Sequence, residues 1–309
     1  MTLSGILNIN KPTGMTSRGA VDMVQRLVRP AKAGHAGTLD PLAGGVLVVC
    51  VGSATRLIEY VQRMPKSYVG TFLLGRQSTT EDIEGEVVEL ADPPVPVLED
   101  ILRAAKKLEG NILQRPPAFS ALKINGRRAY KMARKGEEVK LQARPVSIHR
   151  IAVRSYEYPR LVLEVDCGSG TYIRSLGRDL AESLGTAAVM SELVRTAIGK
   201  FDLEESLDPG KLGKENISGH LMPMIRAVDN LPRLVLSAEE IKLVHRGQSI
   251  AKRIESAPEH WQSQWHPADS QWRPAETAGV DEGGNLVTIL SSSDGELLRP
   301  ARNFLSEIG

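Results

Sequence analysis

Residues 34–51 read GHAGTLDPLAGGVLVVCV. The last six, VLVVCV (46–51), are apolar without a break and mostly β-branched, as in a strand buried on both faces. The twelve before them hold Gly34, Gly37, Gly44 and Gly45, which make the backbone permissive. One carboxylate, Asp40, stands between Leu39 and Pro41, five residues after His35. An acid on the threshold of a buried strand has two readings. It is a turn residue, because Asp before Pro commonly bonds its own backbone, or it is kept there for chemistry.

The neighbouring segments frame this strand. Upstream, 16–28 has helical spacing, with Thr16 or Ser17 as cap and Val21, Val24 and Val28 on one face. Downstream, Ser53 is placed to cap a helix that turns Leu57, Tyr60, Val61 and Met64 inward. A strand is expected at 66–74, a polar loop at 75–85, and a helix at 97–109 between the proline cluster DPPVP (92–96) and Gly110. Residues 115–130 read as a loop or hairpin leading into a short helix that ends near Gly136. Strands follow at 146–156 and 161–167, then a turn at 168–170. A helix at 171–185 is capped by Thr171, with Ile173, Leu176, Leu180 and Leu184 buried. Past about 230, SAEE (237–240) is a capping box. The segment 252–280, with Trp261, Trp265 and Trp272, reads as a long insertion, and 284–298 as two strands around Asp294-Gly295. Strands and helices intersperse without a βαβ rhythm. The expected class is therefore α+β: a mixed sheet with flanking helices, plus a small, mostly β C-terminal module.

Composition narrows the chemistry. The 309 residues are 41% hydrophobic and 25% charged, an ordinary balance for a globular chain with room for two domains. No apolar run is long enough to cross a bilayer, and the first residues lack a secretion signal. Cys50 and Cys167 lie in apolar runs and read as buried thiols of a reducing cytoplasm. The formal net charge of +2 hides an asymmetry. Between 110 and 150 there are ten Lys and Arg against Glu137 and Glu138, an excess of +8, interleaved with Phe119 and Tyr130. Such a mixture suits a phosphate backbone and stacked bases, although a charged block is also a solvated face. The histidines and cysteines show no paired metal spacing. There is no P-loop or GxGxxG, and Asp40 has no acidic neighbour before Glu59. No cofactor is expected.

Six stretches then resemble one family. GHAGTLDPLAGGVLVVCVGSATR (34–56) is similar to GHxGxLDPxAxGxLxxxxGxATK, the catalytic motif of the bacterial tRNA pseudouridine synthase B (TruB) family. NINKPTGMTS (8–17) resembles its KPxGxxS motif. KSYVGTFLLGRQSTTEDIEG (66–85) resembles its tyrosine-bearing strand and TxTxDxxG loop. PPAFSALKINGRRAYKMARKG (116–136) resembles PPxYSAxKxxGxxxYxxAR. CGSGTYIRSLGRDLAESLG (167–185) resembles CxxGTYIRxLxxDLGxxLG, and LVRTAIGKF (193–201) resembles LxRxxxGxF. Order and spacing agree over about 4–232. Ser78-Thr79, Phe119 and Arg56 depart from the common Thr-Asp, Tyr and Lys.

The resemblance implies a pseudouridine-synthase-type, mainly antiparallel sheet in a catalytic domain over 1–232. It implies a degenerate PUA-like module over 233–309. It implies isomerisation of uridine 55 in the T-loop of tRNA without a cofactor, on a flipped-out base. By motif position Asp40 is the catalytic carboxylate, Arg174 its partner and Tyr68 the aromatic stacked on the target ring. Tyr172, Leu193, His35 and Lys11 match base-pocket, flipped-site and loop-supporting residues. Lys123, Arg127 and Arg128 fall in the segment expected to grip the T-arm. Partners are then tRNA but no membrane, and the expected state is a monomer. Burial alone would neutralise Asp40, and an arginine partner would keep it charged. The competing readings are an RNA-binding or tRNA-folding factor without catalysis and a carboxylate-nucleophile hydrolase of a small substrate.

Overall fold

The computed structural model describes residues 3–252, 276–292 and 297–304, apart from 121, 125, 130–131, 133–136 and 138–140. Strand β1 (Gly5–Lys11) leads to helix α1 (Ser17–Val28), where the Thr16 hydroxyl accepts the Gly19 N–H as the cap. The helix buries Ala20, Val21, Val24 and Val28. They pack on Leu7, Ile9, Leu47, Val49 and Val51 of β1 and β3 (Ala43–Val51). Between α1 and β3 runs the short β2 (Ala33–His35). All nine residues of β3 are buried, as the unbroken apolar run requires. The strand begins three residues earlier than the run alone indicates, because Ala43–Gly45 pair in parallel with Leu193–Arg195, a partner about 150 residues away.

A 3-10 turn (Gly52–Leu57) precedes α2 (Ile58–Arg63). Leu57, Tyr60, Val61 and Met64 are buried as expected. Ser53 does not cap: its hydroxyl points to the Met224 sulfur at 3.2 Å. Next come β4 (Lys66–Leu74), β5 (Arg76–Ser78), β6 (Val87–Glu89), α3 (Leu98–Lys107) and β7 (Gly110–Gln114). The expected polar loop over 75–85 thus carries a short strand, β5, paired with β6. The ribbon β8 (Lys123–Ile124) and β9 (Arg127–Arg128) pairs Lys123 with Arg128. The short helix expected before Gly136 lies outside the described residues.

β10 (Arg144–Glu157) and β11 (Arg160–Cys167) run into α4 (Ile173–Ser183). Thr171 does not cap this helix. The Gln114 side chain accepts the Tyr172 N–H at 2.8 Å and donates to the Tyr172 carbonyl at 3.1 Å. Tyr172 thereby becomes the cap residue, and the Thr171 hydroxyl donates instead to the Gly168 carbonyl. α4 lies against β4 at Gly177, where a Cβ would stand 2.1 Å from the Phe72 ring. Any larger residue would push the helix off the sheet.

β12 (Ala188–Ile198) and β13 (Phe201–Asp202) complete a nine-stranded sheet. Its order is β1-β3-β12-β4-β11-β10-β7, with β2 beside β3 and β13 beside β12. Every pairing is antiparallel except β3 with β12. The expected α+β class with a mainly antiparallel sheet is what the chain forms.

After three 3-10 turns come β14 (Arg233–Val235), α5 (Ala238–His245), β15 (Ile250–Ala251), β16 (Glu276–Val280), β17 (Leu286–Ser292) and β18 (Leu297–Asn303). The strands form a second sheet in the order β14-β16-β17-β18-β15. The Ser237–Glu240 capping box starts α5. The insertion expected over 252–280 is shorter at its far end, because 276–280 form β16, inside this sheet. The tryptophans and the Asp294-Gly295 turn lie outside the described residues. Arg302 of β18 donates to the Glu59 carboxylate and the Arg56 carbonyl, fastening the second sheet to the first unit. Both cysteines are buried and free. Among the described residues no helix is long and apolar enough to cross a membrane.

Candidate active site

Asp40 sits in the link between β2 and β3, and three anchors fix that link. The buried Ser17 hydroxyl both accepts the Leu39 N–H at 2.8 Å and donates to the Leu39 carbonyl at 2.9 Å. Gly14 N–H donates to the Pro41 carbonyl at 2.7 Å. Arg195 donates to the Gly37 carbonyl at 3.1 Å and to Val46 at 2.7 Å. The residues on both sides of Asp40 are therefore held by the KPTGMTS stretch. Lys11 supports the same turn: its ammonium donates to the Pro12 and Met15 carbonyls at 3.0 and 2.6 Å. Burial, together with Arg195 nearby, lowers the Lys11 pKa to about 8.

Asp40 lines a cavity of about 300 Å³ whose walls include Leu39, Tyr68, Tyr172, Arg174, Leu193 and Arg195. Five of the expected residues thus converge: Asp40, Tyr68, Tyr172, Arg174 and Leu193. Sheet register brings three elements to one place, with Leu193 opposite Ala43 and Gly70, and Arg195 opposite Gly45 and Tyr68. Gly45, at φ +96, is required there: a Cβ would lie 2.3 Å from the Arg195 carbonyl oxygen.

Arg174 enters from the first turn of α4 and is only 5% exposed, so it is no solvated surface arginine. Its Nη2 lies 2.9 Å from Asp40 Oδ2 and also donates to the Phe119 carbonyl at 3.0 Å. Its Nη1 donates to the Thr80 carbonyl at 2.7 Å and lies 3.2 Å from Asp82 Oδ2. Asp82 in turn accepts the Thr80 hydroxyl and the Glu84 N–H at 2.6 and 3.1 Å. A guanidinium with this many acceptors cannot swing, which gives Asp40 one fixed counter-charge. The Asp40 side chain keeps 39% exposure toward the cavity. It is therefore less enclosed than the sequence reading expected, and it is open to a substrate.

Burial pushes the Tyr68 phenol up, and the hydrogen-bonded Arg195 guanidinium opposes that shift. Tyr172 lies under Arg144, whose guanidinium carbon is 5.3 Å from the ring centroid, a cation–π distance. His35 is not among the lining residues; the wall begins at Gly37. Lys123, Arg127 and Arg128 are on the β8–β9 ribbon, where Arg127 is exposed and is not among the described lining residues. Sequence reasoning passed over Asp82, Arg195 and Gln114. Each lay inside or beside a quoted motif, but each acts through a contact between distant segments.

The geometry is that of a carboxylate held by a fixed arginine, with Tyr68 and Tyr172 among the walls of the same cavity. A family model described as TruB family pseudouridylate synthase (N terminal domain) matches residues 25–173. The chain is 36% identical to tRNA pseudouridine synthase B of Rhodopirellula baltica, covering 97% of this chain and 94% of that one. It is 43% identical to tRNA pseudouridine synthase B of Syntrophobacter fumaroxidans, over 77% of this chain and 79% of that one. Among solved structures, one from a Cbf5-Nop10-Gar1 complex superposes with a TM-score of 0.73 at 25% identity, covering 97% of this chain and 85% of that one. With relatives this similar along nearly its whole length, the chain belongs to the TruB family of pseudouridylate synthases.

Proposed function

We propose that this protein isomerises a uridine of tRNA to pseudouridine, at position 55 of the T-loop, with Asp40 as the reacting carboxylate. The observation that carries the reading is the Asp40–Arg174 contact at 2.9 Å on the cavity wall. Beside it, the family membership gives the reaction class. The reaction breaks the N1–C1′ bond, turns the uracil and joins C5 to C1′. A proton leaves C5 and one is gained at N1, so no redox partner is needed. Asp40 starts the reaction by attacking C1′ or by taking the C2′ proton to give a glycal. Tyr68 and Leu193 flank the turning ring, and Tyr68 is placed to take the C5 proton as its phenolate, a form that burial opposes and the hydrogen-bonded Arg195 favours.

A base inside a folded T-loop must be flipped out to reach such a cavity. Tyr172 supplies a stacking face, and His35 is assigned to the space the base leaves. The ribbon with Lys123, Arg127 and Arg128 grips the T-arm through phosphates, which makes binding salt-dependent. Residues 1–232 form the catalytic unit and 233–309 an RNA-contacting module, in a cytoplasmic monomer.

Tritium release from tRNA labelled at uracil C5, by the native protein and by Asp40→Asn, tests the reading. Release by the native protein alone is expected. Binding without release by the native protein would favour a tRNA-folding factor instead.

A further inference from the structure

Behind the cavity lies a second ion pair that does not line it. Glu81 stands between Thr80 and Asp82, the two residues that supply acceptors to Arg174 Nη1. Its φ is +62°, in the left-handed region that a non-glycine residue adopts only when its surroundings hold it there. They do: Glu81 N–H donates to Ser78 O at 3.1 Å, and its carbonyl accepts Met190 N–H at 3.0 Å. Its carboxylate accepts the Ser175 hydroxyl at 2.9 Å and the Arg178 guanidinium.

Arg178 is one helical turn after Arg174 on α4. It donates to the Arg115 carbonyl at 2.8 Å and to Asp179 at 2.7 and 2.9 Å. Arg174 donates to the Phe119 carbonyl. Two arginines four residues apart therefore clasp the same two segments, the 78–82 loop and the 115–119 run at the root of the basic segment. Arg178 holds the outer end of that clasp and Arg174 the end at the cavity. With side chains 12% and 15% exposed, Arg178 and Glu81 are screened from solvent, so their attraction is stronger than that of a surface pair.

We propose that Glu81 and Arg178 are positioning residues that set Arg174, and through it Asp40, by fixing the two segments whose oxygens Arg174 uses. The inference rests on the proposed role of Asp40 in pseudouridine formation. It makes the root of the RNA-gripping segment part of the catalytic geometry: a displacement of 115–119 by RNA reaches Arg174 through Phe119 and is resisted by Arg178.

The test compares single-turnover tritium release at saturating tRNA, tRNA affinity and melting temperature. The variants are Glu81→Gln, Arg178→Met and the double, with Asp40→Asn as reference. Each single variant is expected to slow the chemical step about tenfold, with affinity changed less than twofold. The double is expected to be no slower than the worse single, because the pair acts as a unit. A lower melting temperature with an unchanged rate would overturn the proposal and leave a purely structural pair. If either variant fails to fold, Ser175→Ala carries the test, since it removes one hydrogen bond from Glu81 and keeps both charges. A rate about threefold lower is expected, and an unchanged rate overturns the proposal. Release by Asp40→Asn at the native rate would instead sink the catalytic reading itself.

Discussion

Arg174 Nη2 lies 2.9 Å from Asp40 Oδ2 while Nη1 of the same guanidinium lies 3.2 Å from Asp82 Oδ2. One buried cation thus serves two carboxylates of opposite character. Asp40 keeps 39% of its side chain open to the cavity, whereas Asp82 keeps 3%. The inner acid fixes the arginine, and the arginine fixes the outer acid. A flat, forked cation is needed for this, because its two Nη groups point along separate directions.

Arg174→Lys should therefore be far from conservative. An ammonium is a point donor and cannot reach Asp40, Asp82, Thr80 O and Phe119 O together. Breaking a buried pair costs about 3–5 kcal/mol, so a loss of about 100-fold or more in single-turnover rate is expected. Affinity for tRNA, which depends mainly on phosphate contacts elsewhere, should stay within about threefold. Rapid-quench tritium release and filter binding separate the two. A normal rate with weak binding would make Arg174 a substrate anchor instead.

Asp82→Asn keeps shape and removes charge. Arg174 then retains Asp40 as its one carboxylate partner among the described residues and is pulled toward it. Hydrogen bonds to a charged group are worth about 1.5–3 kcal/mol, which corresponds to a rate loss of roughly tenfold to a hundredfold if the effect falls on the transition state. Pre-steady-state release at saturating tRNA reads it directly. Native kinetics in this variant would reduce Asp82 to a structural loop residue.

What the sequence made legible follows from how far each signal reaches. Asp40 stood out because a lone acid before an apolar run is a local anomaly. The α1 face, the α4 stripe and the β10–β11 hairpin were legible because period and burial are local too. The early start of β3 at Ala43 and the role of Arg195 were not, since both arise from pairing with a strand about 150 residues away. Gln114 displaced Thr171 as the organiser of the α4 start by the same kind of distant contact. The motif resemblance brought Asp40, Arg174 and Tyr68 together before any geometry did. It placed Asp82 in the TxTxDxxG loop but gave it no role, because that role lies in which guanidinium nitrogen it faces.

Ser17→Ala should show how strictly the Asp40 link is held. The hydroxyl makes two hydrogen bonds to Leu39 in a buried place. Leaving a buried N–H and C=O unpaired costs about 1–3 kcal/mol. The melting temperature should fall by several degrees, and the turnover rate at 25 °C should fall several-fold, because Leu39 adjoins Asp40. A variant with lowered melting temperature but full activity would show that the Gly14–Pro41 and Arg195–Gly37 anchors hold the link unaided.

Arg127 is exposed on the β8–β9 ribbon and lies 2.6 Å from Glu137. A surface pair of this kind is worth less than about 1 kcal/mol, so a phosphate can displace the glutamate. Arg127→Ala should lower the slope of log affinity against log salt by about 1, with the single-turnover rate unchanged. Equilibrium binding between low and physiological salt gives the slope. An unchanged slope would remove Arg127 from the RNA contacts.

His35 gives a pH dependence with a definite sign. Burial, and then the Arg195 guanidinium, lower its pKa from 6.5, while its hydrogen bond with the Gly37 backbone opposes them. The folded protein therefore holds the imidazole neutral in a pH range where the unfolded chain takes up a proton. More protons bound in the unfolded state means that stability rises with pH there. The stability from a neutral His35 is complete above about pH 6.5 and is lost as pH falls from that value through the folded pKa. His35→Gln cannot titrate, so its urea midpoint should fall less than the native one between pH 7.5 and pH 5.5. The carboxylates elsewhere contribute equally to both proteins and cancel in the difference. Parallel losses in the two proteins would mean that His35 titrates alike folded and unfolded, and that the imidazole is far more accessible than its place on β2 beside Arg195 implies.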